Sequence, residues 1–179
     1  MSSDNTSTAA PAAILSFDFP GYNDIPDIGL FLEQTVKYIN GYLAPLGDVS
    51  LTNSMVSNYV KKKIIANPIK KQYGREQIAY LFFIAAAKTC LSLENLQKLI
   101  ELQKTYCSCE DAYEYFRNEL KKALHEVFKV SDSSAFNSVK ATSNSYNSPE
   151  ISPEKELLYK TAVAIAYQVY LTYSIAAIE

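Results

Sequence analysis

The chain has 179 residues, 48% of them hydrophobic and 20% charged, with a net charge of −2. That length fits one domain of ordinary size, or one with an appendage, and excludes a large multidomain enzyme. The apolar content excludes a chain disordered throughout, and 14 Tyr and 8 Phe against 5 Gly point to a well-filled helical core.

Three Cys without a secretory signal are expected to stay reduced in a soluble, cytoplasmic protein. The small net charge hides a strong asymmetry. Residues 1–50 hold six acids and one Lys, residues 51–75 hold six bases and no acid, and residues 76–179 hold ten bases and thirteen acids. Solvated surfaces ordinarily mix signs, so an unmixed cationic block marks an expected anion-binding face.

In chain order, residues 1–16 are small and polar and read as a disordered tail, and FDFPGYNDIPDIG, with two Pro, two Gly and exposed acids, suits an extended lead-in. A helical pattern follows from Ile28 through Leu30, Phe31, Gln34, Tyr38 and Ile39, with Gly41 as its expected terminator. Thr52 is a good N-cap for a helix reaching Lys62, and Leu51 with Val56 forms a hydrophobic staple. Ala66-Asn67-Pro68 breaks the chain before a short extended Lys-rich strip, Ile69 to Tyr73. Gly74 then caps a helix from Arg75 to about Cys90, whose core YLFFIAAA is apolar on every side and therefore belongs at the centre of the fold.

Ser92 starts an amphipathic helix with Leu93, Leu96, Leu99 and Ile100 on one face, reaching about Lys104. Ser108 and Asp111 resemble a capping box for a helix to about Val130, striped by Tyr113, Phe116, Leu120, Leu124, Val127 and Phe128. Residues 131–151 are rich in Ser and Asn and read as a flexible connection. Ser152-Pro153-Glu154 opens a last helix. Its residues 161–178 lack charge, but Gln168, Thr172, Ser174 and three Tyr favour a buried or self-packed helix over a membrane span.

The helix from Thr52 to Lys62 carries the functional signal. At 100° per residue, Met55, Val56, Tyr59 and Val60 fall on the inner side, and Asn53, Ser54, Ser57, Asn58 and Lys61 on the outer. Short amide and hydroxyl groups, no carboxylate, and a run of Lys suit a helix lying in a DNA major groove. Asn pairs with adenine, Ser serves several base edges, and the helix start and Lys side chains meet phosphates. The base-reading set is Asn53, Ser54, Ser57 and Asn58. The phosphate-binding set is Thr52, Lys61, Lys62, Lys63, Lys70, Lys71, Tyr73 and Arg75.

The parts LTNSMVSNYVKKKII, NPIKKQYGREQIAYLFFI and LSLENLQKLI, in that order, resemble the DNA-binding head of MerR-type regulators. Such a head has a capped recognition helix, a basic wing ending in Tyr, a long helix, and a Leu-Ser-Leu step into an amphipathic helix. Roughly from Pro26 to Leu102 the chain also resembles the bacterial domain-of-unknown-function family 1836, whose members typically read LT–MINNYVK followed by a KKY wing. By position, Ser57, Asn58 and Tyr59 match the segment that the resemblance places on DNA, and Lys70, Lys71 and Tyr73 match the wing. Ser57 and Gln72 stand where MerR-type heads usually carry Arg, and the wing is shortened.

Other chemistry is weakly signalled. Cys107-Ser108-Cys109 lacks zinc-knuckle spacing, Cys90 reads as a small core residue, and no metal site or cofactor is expected. His125 reads as a surface or helix-packing residue, and no phosphate loop or paired-acid motif supports an enzyme. The expectation is a mostly α protein with three parts: a tail over residues 1–25, a winged helix-turn-helix head over 26–104, and a helical C-terminal part over 108–179. It would be a sequence-specific transcriptional regulator binding double-stranded DNA, a homodimer through its C-terminal helices, and the sequence does not say whether an effector is sensed. The alternatives are a module of the same fold binding an acidic protein partner, and a small-molecule sensor with its pocket among the C-terminal helices.

Overall fold

The computed structural model describes residues 12–132 and 151–178. The expected tail over residues 1–11 and the Ser/Asn-rich connection over 133–150 lie outside the described residues. The protein is mostly helical, with α1 (Ala12–Leu15), α2 (Leu32–Leu43), α3 (Asn53–Lys61), α4 (Arg75–Ala87), α5 (Leu93–Tyr106), α6 (Cys109–Asp132) and α7 (Pro153–Ala176). Two short strands, β1 (Leu30–Phe31) and β2 (Gln72–Tyr73), pair antiparallel, Leu30 opposite Tyr73 and Phe31 opposite Gln72. Among the described residues no helix is long and apolar enough to cross a membrane.

α4 organises the rest. Every side chain from Ile78 to Ala87 is buried, as an all-apolar helix requires. The Phe82 ring, fully buried, lies 5.0 Å from Phe19, 5.7 Å from Tyr42, 6.0 Å from Tyr38 and 6.2 Å from Tyr113. Phe83 meets Phe116 edge-on at 4.9 Å. One ring thus joins the lead-in, α2 and α6, in the edge and tilted geometries that aromatic quadrupoles favour.

Residues 12–16 depart from the expected disordered tail, forming α1 and its closing turn with Ile14 buried, and the lead-in after them is packed. It has neither helix nor strand between Phe17 and Gly21, yet Phe17, Phe19 and Ile25 are buried. α6 satisfies its backbone along the way: Arg117 Nε donates to Phe19 O at 2.7 Å, Tyr113 Oη to Pro20 O at 2.9 Å, and Tyr22 N donates to Glu114 Oε1 at 2.5 Å. Asp18 bridges Arg117 and Lys121, and His125 Nε2 lies 2.6 Å from Leu15 O. The Pro and Gly of this stretch agree with its lack of regular helix or strand over residues 17–21. They do not reveal that a neighbouring helix supplies partners for it.

α2 begins at Leu32 rather than Ile28, because Leu30 and Phe31 are drawn into the strand pair; Ile28 is left 75% exposed. Gly41 does not terminate α2, which runs on to Leu43 and into a 3-10 turn, Ala44–Leu46. The chain turns instead at Gly47, whose φ of +78° suits a residue without Cβ.

α6 and α7 run in the same direction. Lys155, at the start of α7, lies over Tyr115 near the start of α6, while Tyr170 and Tyr173 meet Phe128 near its end. A long connection permits this parallel arrangement, where a short one forces antiparallel neighbours.

Phe82→Ala should cost about 3–5 kcal/mol, the range for truncating a large buried ring. Urea denaturation of the variant and the parent chain checks it. A loss below about 1 kcal/mol would show that the cluster closes around the missing ring.

Candidate functional site

The cationic block spans α3, its C-terminal turn and the strip leading to β2. Thr52 caps α3 as expected, accepting from Met55 N at 3.2 Å. The approach to α3 is clamped by a residue that sequence reasoning missed. The Asn40 side chain accepts from Leu51 N at 2.8 Å and donates to Leu51 O at 2.9 Å. Lys88, at the end of α4, donates to Ser50 O and lies 3.4 Å from Met55 Sδ; burial lowers its pKa. A lone polar residue at a helix end carries no sequence signal for such long-range bonds.

Leu51, Val56 and Tyr59 are buried and seat the helix. Met55, expected on the inner side, is exposed, since it sits at the rim and reaches Lys88 rather than the core. Asn53, Ser54 and Ser57 face solvent and Asn58 is half-buried. The hydroxyls are partly engaged, Ser57 Oγ donating to Asn53 O at 2.9 Å and Ser54 Oγ lying 3.0 Å from Thr52 Oγ1. Neither the Asn53 nor the Asn58 amide has a side-chain partner among the described residues, so these two keep full donor and acceptor capacity.

α3 closes in a Schellman motif. Lys63 N donates to Val60 O and Ile64 N to Tyr59 O, both at 2.9 Å, and Ile64 is buried. The residue in the left-handed position is Lys63, with φ of +57°, where Gly is usual. Six residues on, Ile69 and Gln72 exchange backbone hydrogen bonds at 3.0 and 2.9 Å across a two-residue tip of Lys70 (φ +50°) and Lys71 (φ +65°). Positive φ at both central positions is the pattern of a type I′ hairpin turn, ordinarily Asn-Gly.

The hairpin is held at its base. Gln77 donates to Ala66 O and accepts from Gly74 N, each at 2.8 Å, while β2 pairs with β1. That pairing needs Gly29, where a Cβ would lie 2.6 Å from Gln72 Cβ.

Lys61, Lys62, Lys63, Lys70 and Lys71 are all exposed, and none forms a salt bridge with a described residue. Lys63 and Lys70 are seven residues apart and hence within about 25 Å, less than one turn of duplex DNA at about 34 Å. Two residues of the expected phosphate-binding set are occupied by the fold. Tyr73 is 4% exposed, anchoring β2, and burial raises its pKa. Arg75 donates through Nε to Ile25 O at 2.9 Å and reaches Asn23 and Asp27, so it ties down the lead-in.

Elsewhere, Cys90 is exposed rather than a core residue, because α4 ends at Ala87 and Cys90 lies in the turn beyond it. Burial, with Glu76 nearby, pushes the Cys109 thiol up to about 12. Among the described residues no group of His, Cys, Asp and Glu is placed to hold a metal ion. Between α4, α5, α6 and α7 lies a cavity of about 30 Å³ lined by Tyr80, Gln103, Cys109 and Phe116 among others, space on the scale of a water molecule.

The family model described as a domain of unknown function, DUF1836, matches residues 20–116, more than half of the chain. No curated protein and no solved structure matches this chain. The matched stretch contains α2, α3, both strands, α4 and α5, and ends within α6.

Replacing the hairpin tip by Lys70→Asn with Lys71→Gly should raise stability by about 1–2 kcal/mol, since both residues escape the left-handed penalty of a longer side chain. Thermal denaturation checks this, and an unchanged or lower Tm would mean that the lysine tip carries no strain.

Proposed function

The chain belongs to the DUF1836 family, and we propose that it is a sequence-specific DNA-binding regulator with a winged helix-turn-helix head resembling that of MerR-type proteins. α2 and α3 form the helix pair, and the Lys70-Lys71 hairpin is the wing. α3 lies in the major groove, Asn53 and Asn58 reading base edges with Ser54 and Ser57 as secondary contacts, while Lys61, Lys62, Lys63, Lys70 and Lys71 grip phosphates.

One observation carries this reading: five exposed lysines without a described acidic partner flank a helix face bearing two unengaged amides. Uncompensated charge of one sign is poorly explained by folding, which it opposes through self-repulsion. A polyanion relieves that repulsion and gains by counterion release.

A second reading has an observation of its own. Ile69 is 77% exposed, and Phe31, which pairs with the same Gln72 from the other side, is 50% exposed. Apolar side chains next to lysines also suit an acidic, amphipathic protein segment.

Titration of duplex DNA at several salt concentrations separates the two. The DNA reading expects a steep fall of affinity with salt, with Lys70→Ala plus Lys71→Ala lowering affinity for every duplex and reducing the logarithmic slope by about 2. Asn58→Ala should cost about 1–3 kcal/mol and relax preference at one base position only. A flat, salt-independent DNA signal overturns the reading, and equal losses on all sequences from both variants remove base reading from it.

A further inference from the structure

The inner face of α7 is accounted for: Leu158, Ala162, Ile165, Ala166 and Val169 are buried in the body of the protein. Its outer face is not. Leu157 is 44% exposed, Tyr167 56%, Leu171 53%, Ile175 61% and Ile178 83%. The helical turn extends past Ala176, with Ala177 N donating to Tyr173 O at 3.1 Å and Ile178 N to Ile175 O at 3.0 Å, so Ile178 continues the same face.

The outward positions Leu157, Lys160, Ala164, Tyr167, Leu171, Ser174 and Ile178 are separated alternately by three and four residues, with Ile175 beside Ser174. This is the spacing of a seam that packs along another helix, since it keeps one stripe facing the partner over successive turns. Its exposed apolar side chains amount to on the order of 500 Å², the upper end of the largest patch on an ordinary monomer. With a polar rim this approaches the roughly 800 Å² per partner that a stable complex buries.

We propose that this face pairs antiparallel with the same face of a second copy of the chain. The occupant follows from charge. Residues 161–178 contain no Asp, Glu, Lys or Arg, and the seam's one charged position, Lys160, is paired with Glu156 on its own helix and would face Ile175 of an antiparallel copy, so an identical face meets little like-charge repulsion. A two-fold axis near Tyr167 and Gln168 makes the contact self-complementary. It sets Ala164 of one copy opposite Leu171 of the other, small against large, and Leu157 opposite Ile178. Leu157 borders a groove of about 330 Å³ between α5 and α7, lined by Leu91, Leu99 and Leu102 with Asn95, Lys98 and Thr161 at its polar side, and this groove receives the Ile178 end of the second copy. The pairing stands apart from the DNA reading, and a dimer that ignores DNA leaves it intact.

Sedimentation of the full chain at micromolar concentrations tests the pairing. The parent chain should sediment as a dimer, and Tyr167→Glu with Leu171→Glu as a monomer with unchanged circular dichroism. Ile175→Lys, a milder change at the same face, should weaken the dimer at least tenfold. Register is tested by mild oxidation. Tyr167→Cys, near the axis, should form a covalent dimer that the parent chain, with its Cys90, Cys107 and Cys109, does not. Ile178→Cys should not, because antiparallel pairing holds the two copies of that residue about 30 Å apart.

A parent chain that stays monomeric overturns the proposal, including one that is monomeric but binds lipid vesicles through α7. So does a dimer that survives both the double Glu change and Ile175→Lys. Cross-linking through Ile178→Cys but not Tyr167→Cys overturns the antiparallel pairing.

Discussion

The structure depends on enclosing α4. A helix that is apolar around its whole circumference must be covered from every side, and no single neighbouring helix does this. Here the cover is shared by α2, α6, α7 and the lead-in, with Phe82 touching rings from three of these elements. The lead-in is the economical part of the arrangement. A segment outside helix and sheet lacks their ladder of backbone hydrogen bonds, so α6 supplies partners through Arg117, Tyr113 and Glu114 while Phe17 and Phe19 fill the core.

That rigid centre lets the surface carry features that work against stability. Among the described residues, the non-glycine residues with positive φ are Lys63, Lys70 and Lys71, all inside the acid-free block. Each is strained where Gly or Asn would be relaxed, and together with Lys61 and Lys62 they repel one another. Strain of this kind persists only where surrounding structure holds it in place. The Schellman turn anchored by Ile64, the Gln77 bridge and the β1–β2 pair do so here. A cost concentrated on one chemical type in one place is the physical basis for reading the block as a binding surface.

The two proposed surfaces are built in contrasting ways. The α3 and hairpin surface is charged, polar and strained, and lies inside the stretch matched by the DUF1836 model. The α7 seam is mostly apolar, with Lys160 its one charged position, and lies outside it. A salt-dependent contact and a salt-tolerant one can therefore operate in one chain without competing for the same residues.

What was legible in the sequence was local. Thr52 caps α3, Ser92 caps α5, Ser108 opens α6 and Pro153 opens α7, because a cap satisfies backbone groups within its own turn. The all-apolar YLFFIAAA stretch declared its own burial, and the outward Asn, Ser and Lys of α3 followed from 3.6-residue periodicity. Tertiary structure decided whatever needed a distant partner: the docking of the lead-in on α6, the Asn40 clamp on Leu51, the pairing that pulls Leu30 and Phe31 out of α2, the exposure of Met55, and the withdrawal of Tyr73 and Arg75 from the cationic surface. A side chain's nearest turns are written beside it in the sequence, but which of its bonds are taken up by residues fifty positions away depends on how the helices pack.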